Sequence, residues 1–529
     1  MKDQTAQHRW DNLSLKRSIY LRRAIDCSSL TIPSLIPDSD QNYAYGSEPY
    51  SRLNSLHQGA GARGLSGLSA KLLLALMPPS QPFFKLSLQP AAVRQLTEMS
   101  QDSQAEMSRA DVALADIEQQ VVKKLDKLKA RTAIFELCKH LLCGGNGLIY
   151  VGPQEIKMFS LRSFCVSRDP EGNLSEIVVR EEVAREFLPP GTNTKDGEDS
   201  TTPTDVYTWV RFKPEEDRVE WHQEHEGKKI PGSQGFSRME TCPWICCRLY
   251  RVAGESYGRS LVDDVIGDLQ SLESLTRAIV EGSLIAAKAV ALVNPNGVTR
   301  ADAIARAENG AVVAGNPADV EFLTVAKQSD FSTALQTMQL IERRLNFAFL
   351  NNEAATRDAE RVTAEEIRLM AEMLDSGLAG VYSLMSVELQ LPLIKRVIFL
   401  MQQAGELDAL PPEFVDVQIT TGLDAIGRGN DKARLTNFMQ VCAATIGPEQ
   451  LLQYINASEL IRRFAASDGI KTAALVKDQQ QLEAEQAQAQ QIALEQQLAN
   501  SAIANGAASP PIPVTPQGQP GSGGGAVPV

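Results

Sequence analysis

Ser256 stands in Gly254-Glu-Ser256-Tyr-Gly258, the G-x-S-x-G pattern in which a sharp strand-to-helix turn presents a serine hydroxyl as a nucleophile. Apolar residues from Trp244 to Val252 predict the strand and the pattern from Leu261 predicts the helix, so the setting has the right outline. A hydrolase of that design places its acid and then its histidine after the serine. All five histidines, His8, His57, His140, His222 and His225, precede Ser256, so the general base is out of order. A serine hydrolase using Ser256 is therefore kept only as the alternative function. The plainer expectation is a glycine-rich turn in a protein that is not an enzyme.

Two further groups have the residue types for chemistry. His222-x-x-His225 precedes Cys242, Cys246 and Cys247 by about twenty residues and offers nitrogen and sulfur to zinc, but the spacing forms no closed set of C-x-x-C pairs. Cys246 and Cys247 fall in an apolar strand, where adjacent side chains face opposite sides. Core thiols and a surface histidine pair are expected instead, with no metal. Gly59-Ala-Gly61-Ala-Arg-Gly64 is formally G-x-G-x-x-G, yet Pro49 to His57 before it is polar and does not alternate, so a flexible loop is expected there rather than a dinucleotide site. The chain also lacks G-x-x-x-x-G-K-[ST], so no nucleotide hydrolysis and no cofactor are expected.

These residues hang on elements that the hydrophobic pattern makes legible. Leu114, Ile117, Val121, Leu125 and Leu128 mark a helix; Ile134 to Leu142 continues as another, and Gly144-Gly-Asn-Gly147 breaks into a strand at Leu148 to Val151. Ile177 to Val179, Val206 to Phe212 and Val219 to His222 predict strands, with Gly191 to Asp205 as an exposed loop. That half is α+β. Two long helical patterns follow, Leu261 to Ala287 and Phe331 to Leu350, around a small insert broken at Asn294-Pro-Asn-Gly297 and Gly315-Asn-Pro317. Further on, Pro392 and Pro411-Pro412 are expected to end helical runs, Phe414 to Ile419 alternates as a strand, and 428–477 is again helical in pattern. Beyond Ser501 the Gly, Pro, Ser and Ala content is too poor in large apolar groups to form a core, so disorder is expected.

At 529 residues the chain is long enough for several cores, and 43% hydrophobic with 22% charged residues is ordinary globular composition. The net charge of −13 argues against a general nucleic-acid binder, because phosphate affinity comes mainly from Lys and Arg. It does not argue against a protein past which DNA must slide. The eight cysteines are sparse and mostly in apolar context, which predicts reduced thiols. Apolar runs such as Leu72 to Met77 and Val397 to Met401 fall far short of the ~20 residues that span a bilayer, so a soluble protein without a membrane partner is expected. Near the start, Arg9, Lys16, Arg17, Arg22 and Arg23 interleave with Trp10, Leu13, Ile19 and Tyr20; in so acidic a chain a helix docking its apolar face is favoured over nucleic-acid binding.

Arg357-Asp-Ala-Glu-Arg-Val-Thr-Ala-Glu-Glu-Ile-Arg368 joins a charged loop to an amphipathic helix, with Thr363 and Glu366 spaced as a capping box. With Gly380-Val-Tyr-Ser383, Glu388-Leu-Gln-Leu-Pro392, Thr421-Gly-Leu-Asp-Ala-Ile-Gly-Arg-Gly429, Gly145-Asn-Gly-Leu-Ile-Tyr-Val151 and Gly254-Glu-Ser-Tyr-Gly-Arg-Ser260, it closely resembles the portal proteins, or head-to-tail connectors, of short-tailed phages. The resemblance covers most of the chain up to about Arg434. It implies a multidomain α+β portal fold: an α+β wing over 1–260, a stem helix over 261–289, a small α/β clip over 290–328, a second stem helix over 329–350, a channel loop over 351–361, a capped helix returning to the wing over 362–427, a helical crown over 428–500 and a disordered tail over 501–529. It implies a ring, expected to be dodecameric, at one vertex of a phage capsid. The expected partners are copies of itself, major capsid and scaffolding proteins, the terminase large subunit, tail adaptor proteins and double-stranded DNA in transit, in the virion and before that in the host cytoplasm.

By the same resemblance the channel loop is Asn351, Asn352, Glu353, Thr356, Arg357, Asp358, Glu360 and Arg361, a polar and nearly charge-balanced segment able to touch phosphates without holding them. Residues 261–288 carry Asp263, Asp264, Asp268, Glu273 and Glu281 against Arg277 and Lys288. Sequence leaves two readings of that excess open, an acidic channel wall or a solvated helix face.

Overall fold

The computed structural model describes residues 5–38, 55–79, 82–90, 103–189, 203–287, 290–307, 311–323, 328–351, 380–408 and 415–419, with a few positions elsewhere, among them 438–445. It is a mixed fold of helices and antiparallel sheets. The chain forms two compact units, Met1–Ile426 and Gly427–Val529.

Helix α1, Ala6–Ser29, starts where the Thr5 hydroxyl accepts from the His8 amide at 3.3 Å, an N-cap in extended geometry. Its Trp10 and Leu13 pack on one face of a six-stranded antiparallel sheet, together with Cys165, Val178 and Tyr207. Ile177, Val179, Val210 and Val219 fill the opposite face, as the two-residue period of a strand requires. The sheet runs β4 (Phe164–Arg168), β5 (Leu174–Ala184), β6 (Pro203–Lys213), β7 (Arg218–His225) and β8 (Lys228–Lys229), with β9 (Gly235–Arg238) also on β7. The docking expected for the first helix is present, but Ile19 points to water. Arg17, expected only as part of a basic cluster, is buried and donates to the carbonyls of Leu161, Arg162 and Phe164. The expected loop from Gly191 ends early, since Pro203, Thr204 and Asp205 already belong to β6 and pair with Ala184, Val183 and Glu182.

The main core gathers α2 (Ala60–Leu76), α3 (Ser103–Lys127) and α4 (Ala130–Gly144) against a sheet of β10 (Trp244–Arg248), β2 (Asn146–Val151) and β3 (Ile156–Phe159). Gly145 takes φ 74° to end α4, the left-handed position that favours glycine at a helix C-terminus. The glycines of 59–64 do not form the expected loop. Gly59 is the N-cap of α2, and Gly61 lies inside the helix at a close approach, where an added Cβ would sit 2.6 Å from the Leu30 carbonyl oxygen.

The first long helical pattern breaks once. A single turn, α5 (Leu261–Asp264), is capped by Ser260 and separated at Val265 from α6 (Ile266–Ala287). The insert is a ribbon of β11 (Val290–Val293) and β12 (Val320–Leu323) with a short helix, α7 (Ala301–Ala305), between them. Helix α8, Gln328–Ala348, completes the pair. Pro392 does not end a helix. Residues 380–403 are helical throughout, and a π turn at Ser386–Gln390 precedes α9 (Leu391–Gln403), supplying the backbone slack that a proline without an amide hydrogen needs. Strand β13, Val415–Ile419, returns to pair with β1, Phe84–Leu88. In the second unit 438–445 is helical. The capping box at Thr363 and Glu366 and the tail from Ser501 lie outside the described residues.

Candidate functional site at the stem

Helices α6 and α8, the pair that the resemblance assigns to a stem, are called the stem. Leu269 and Leu272 of α6, Ile341 and Leu345 of α8 and Phe349 just past its end are buried in the main core, which fixes the facing stripes. The Thr276 hydroxyl donates to Met338 Sδ at 3.5 Å and Arg344 meets Asp268 at 2.8 Å, so the helices run antiparallel.

Intramolecular pairing answers much of the question left open about the acidic residues. Asp263 pairs with Arg23 at 2.6 Å, Asp268 with Arg344, and Glu281 with Arg277 at 2.8 Å. Glu273 accepts from His57 Nδ1 at 2.9 Å and from the amides of His57 and Gln58. Burial works to raise the Glu273 pKa, but those hydrogen bonds outweigh it and hold the carboxylate below its usual range. Asp264 differs, its pKa raised by burial and by the neighbouring Asp263 charge. Four of the five stem acids thus have partners in their own chain, which discounts a bare acidic wall.

The end of α8 is built with more care than its sequence suggests. The Leu350 amide bonds the Phe347 carbonyl at 3.0 Å and the Asn351 amide bonds the Asn346 carbonyl at 2.7 Å, the paired bonds of a Schellman cap. Leu350 stands at the left-handed position of that cap, φ 53°, where glycine is usual. Lys71 Nζ donates to the Leu350 carbonyl at 2.8 Å and to Asn351 Oδ1 at 3.2 Å. Two glycines of α2 bring the helices this close: a Cβ on Gly64 would lie 2.5 Å from Phe349 Cδ2, and one on Gly67 would lie 3.2 Å from Asn351 Oδ1. Of the eight expected channel-loop residues, Asn351 alone is described; Asn352, Glu353, Thr356, Arg357, Asp358, Glu360 and Arg361 lie outside the described residues. Lys71 and Gly67 were not singled out from sequence, and Gly64 was read only as part of a loop, although glycines inside an otherwise apolar helix are a signal of close approach.

The sequence matches the family model described as bacteriophage head to tail connecting protein over residues 3–476. The chain belongs to the bacteriophage head-to-tail connecting proteins. Among relatives of this connector, the portal protein of Escherichia phage T7 is 36% identical over 491 residues, covering 90% of this chain and 89% of that one. The portal protein of Enterobacteria phage T3 is 36% identical over 513 residues, covering 95% and 93%. That of Pseudomonas phage phiKMV is 29% identical over 520 residues, covering 95% and 98%.

In this connector the G-x-S-x-G segment is a structural peg. Tyr257 is 2% exposed and its hydroxyl accepts from the Val166 amide at 3.0 Å, while the Gly258 amide donates to Asn146 Oδ1 at 2.7 Å. The serine-hydrolase alternative has no support from the family or from this packing. His222 and His225 are not a surface pair: both are buried on β7, His222 Nε2 lies 2.8 Å from Glu224 Oε1, and His225 Nδ1 is 3.1 Å from the Asp205 carbonyl oxygen. Burial in an extended, well-paired strand overrode the polar look of the sequence there. Cys246 and Cys247 face different cores, one on each side of β10. Burial pushes the Cys242 thiol up to about 12, as befits a thiol packed in the core. No cluster of three or more His, Cys, Asp or Glu able to hold a metal occurs among the described residues. Nor is any described helix long and apolar enough to cross a membrane.

Proposed function

We propose that this chain is a portal subunit, assembling as a closed ring, expected to be dodecameric, at one vertex of a phage capsid and passing double-stranded DNA through its centre. The observation that carries the reading is the agreement with a head-to-tail connecting family along residues 3–476, joined to a stem whose outer faces are left for neighbours. Leu340 and Phe347 on α8 are 60% and 75% exposed, and Val280 and Leu284 on α6 also reach water. Two different apolar stripes on one protomer suit a head-to-tail contact, which closes into a ring when the rotation closes. In this reading the ring acts with major capsid and scaffolding proteins during assembly, with the terminase large subunit during packaging and with tail adaptors afterwards, first in the host cytoplasm and then in the virion. The protein does this as a structural part, without catalysis, cofactor or metal.

The segment from Asn351 to Arg361 is assigned to the channel lining. Arg357 and Arg361 would touch passing phosphates, with Glu353, Asp358 and Glu360 keeping the net charge near zero so that contacts repeated around a ring do not trap DNA. Native mass spectrometry and electron microscopy of purified protein test the ring: closed rings with a central hole are expected, and monomers or dimers across salt and protein concentration would reject it. In virions assembled with Arg357→Ala plus Arg361→Ala, rings should form normally while packaging or retention of full-length DNA falls. Wild-type packaging and retention in those virions would remove these residues from the channel.

A further inference from the structure

We propose that Lys71 is a positioning residue for the channel segment, its ammonium gripping the first turn of chain beyond α8 and so setting the direction in which that segment leaves the stem. The inference deepens the portal reading and rests on it. Its physical basis is the mismatch between Leu350 and its place in the Schellman cap. A leucine at φ 53° is held against its own preference, because the left-handed region crowds a Cβ against its backbone. Such a conformation persists where surrounding contacts over-determine it.

The contacts that do so come from α2. Lys71 Nζ binds the carbonyl of the strained residue itself and the side chain of the next one, at 2.8 and 3.2 Å. A carbonyl at a helix C-terminus carries the negative end of the helix dipole, so a cation there is favoured twice, by the hydrogen bond and by the field. Gly67 and Gly64 stand one and two turns before Lys71 on the same helix and let the end of α8 come this close, since a Cβ on Gly64 would strike Phe349 and one on Gly67 would crowd Asn351. Arg63 adds an outer tie to Glu342 at 3.4 Å. Burial lowers the Lys71 pKa, as expected for an ammonium withdrawn from water and committed to protein oxygens. Beside the apolar packing of α2 on α8, Lys71 thus ties α2 to the backbone at the exit of α8. A surface lysine placed for DNA would instead extend into solvent and keep its donors free.

Hydrogen–deuterium exchange on assembled full-length rings tests this. Lys71→Met keeps the apolar stem of the side chain and removes the donors; exchange of the peptide spanning 346–361 should rise about tenfold, the size expected for losing a charge-assisted hydrogen bond, while α4 and the six-stranded sheet stay protected. Lys71→Arg should restore slow exchange, because its guanidinium can also donate to both oxygens. Leu350→Gly in the Lys71→Met background should bring exchange back toward wild type by removing the strain the lysine holds. Unchanged exchange in Lys71→Met, no rescue by either second variant, or loosening spread over the whole wing would each overturn the proposal. In virions, Lys71→Met should lower retention of packaged DNA several-fold and Lys71→Arg should recover it. If exchange rises locally while DNA retention stays at the wild-type level, Lys71 holds no DNA-touching element and the positioning role is lost. The Arg357→Ala plus Arg361→Ala virions, whose Lys71 clamp is intact, then show whether the channel assignment has failed as well.

Discussion

Arg248, in the part that the resemblance assigns to a wing, and Thr299, in the insert that it assigns to a clip, are both buried polar residues, and their surroundings differ. Arg248 is 2% exposed, lies on strand β10 at one edge of the three-stranded sheet, and donates from its backbone amide and from Nε to the two oxygens of Glu388 at 2.9 and 3.0 Å, with apolar core on either side. Thr299 is enclosed by a local knot instead: its hydroxyl donates to Asp319 Oδ2 at 3.0 Å and accepts from the Asn316 amide at 2.8 Å. Around it Leu292, Val298 and Val312 are exposed, and no described clip residue is a buried apolar one. The wing carries its own core. The clip has shape without a core, held by turns and hydrogen bonds, and its apolar groups await a neighbour.

The strongest way to break that contrast is Arg248→Met. Removing one member of a buried ion pair leaves Glu388 uncompensated and should cost about 3–5 kcal/mol in urea unfolding of the wing. A loss below about 1 kcal/mol would show that the pair is wet and the wing core less closed than described.

Acid should act next. His140 on α4 is buried, and burial, helped by the Lys139 charge, lowers its pKa from 6.5 to about 4. The unfolded chain therefore binds this proton at higher pH than the folded one. The stabilisation is complete above pH 6.5 and fades as pH falls toward 4, by at most on the order of 3 kcal/mol. His140→Leu should flatten this part of the stability–pH curve relative to wild type, and an unchanged slope would remove the histidine from the account.

The smallest effect on folding should come from the stem surface. Leu340→Ser with Phe347→Ser should alter the unfolding free energy of the isolated subunit by roughly 0.5 kcal/mol or less, since both side chains are already in water. Ring assembly, followed by native mass spectrometry, should shift to higher protein concentration. Equal assembly would mean that these stripes are not covered by a neighbouring copy.

Much of the fold was legible where one residue class dominates a run. The turns at Asn294-Pro-Asn-Gly297 and Gly315-Asn-Pro317 marked out the insert between two helices, and the Gly144 to Gly147 break announced β2. Strands β3 and β4 went unread because Ile156–Phe159 and Phe164–Arg168 are short and find their partners only through tertiary pairing. Pro392 misled because a π turn, invisible to periodicity, absorbs it. At the stem, Asn351 stood in the segment that the resemblance marked out as the channel loop, whereas Lys71 lies 280 residues earlier and joins it only when α2 packs on α8. Long-range contacts of single polar residues leave no periodic trace.

The ribbon of β1 and β13 also has a consequence in time. Phe84 pairs with Ile419, so the partner strand is made more than three hundred residues after the first one. At roughly 5–20 residues per second of synthesis, β1 waits tens of seconds with its hydrogen-bonding edge unfilled. An unpaired edge of that kind invites other chains, and it closes only when nearly all of the first compact unit has left the ribosome.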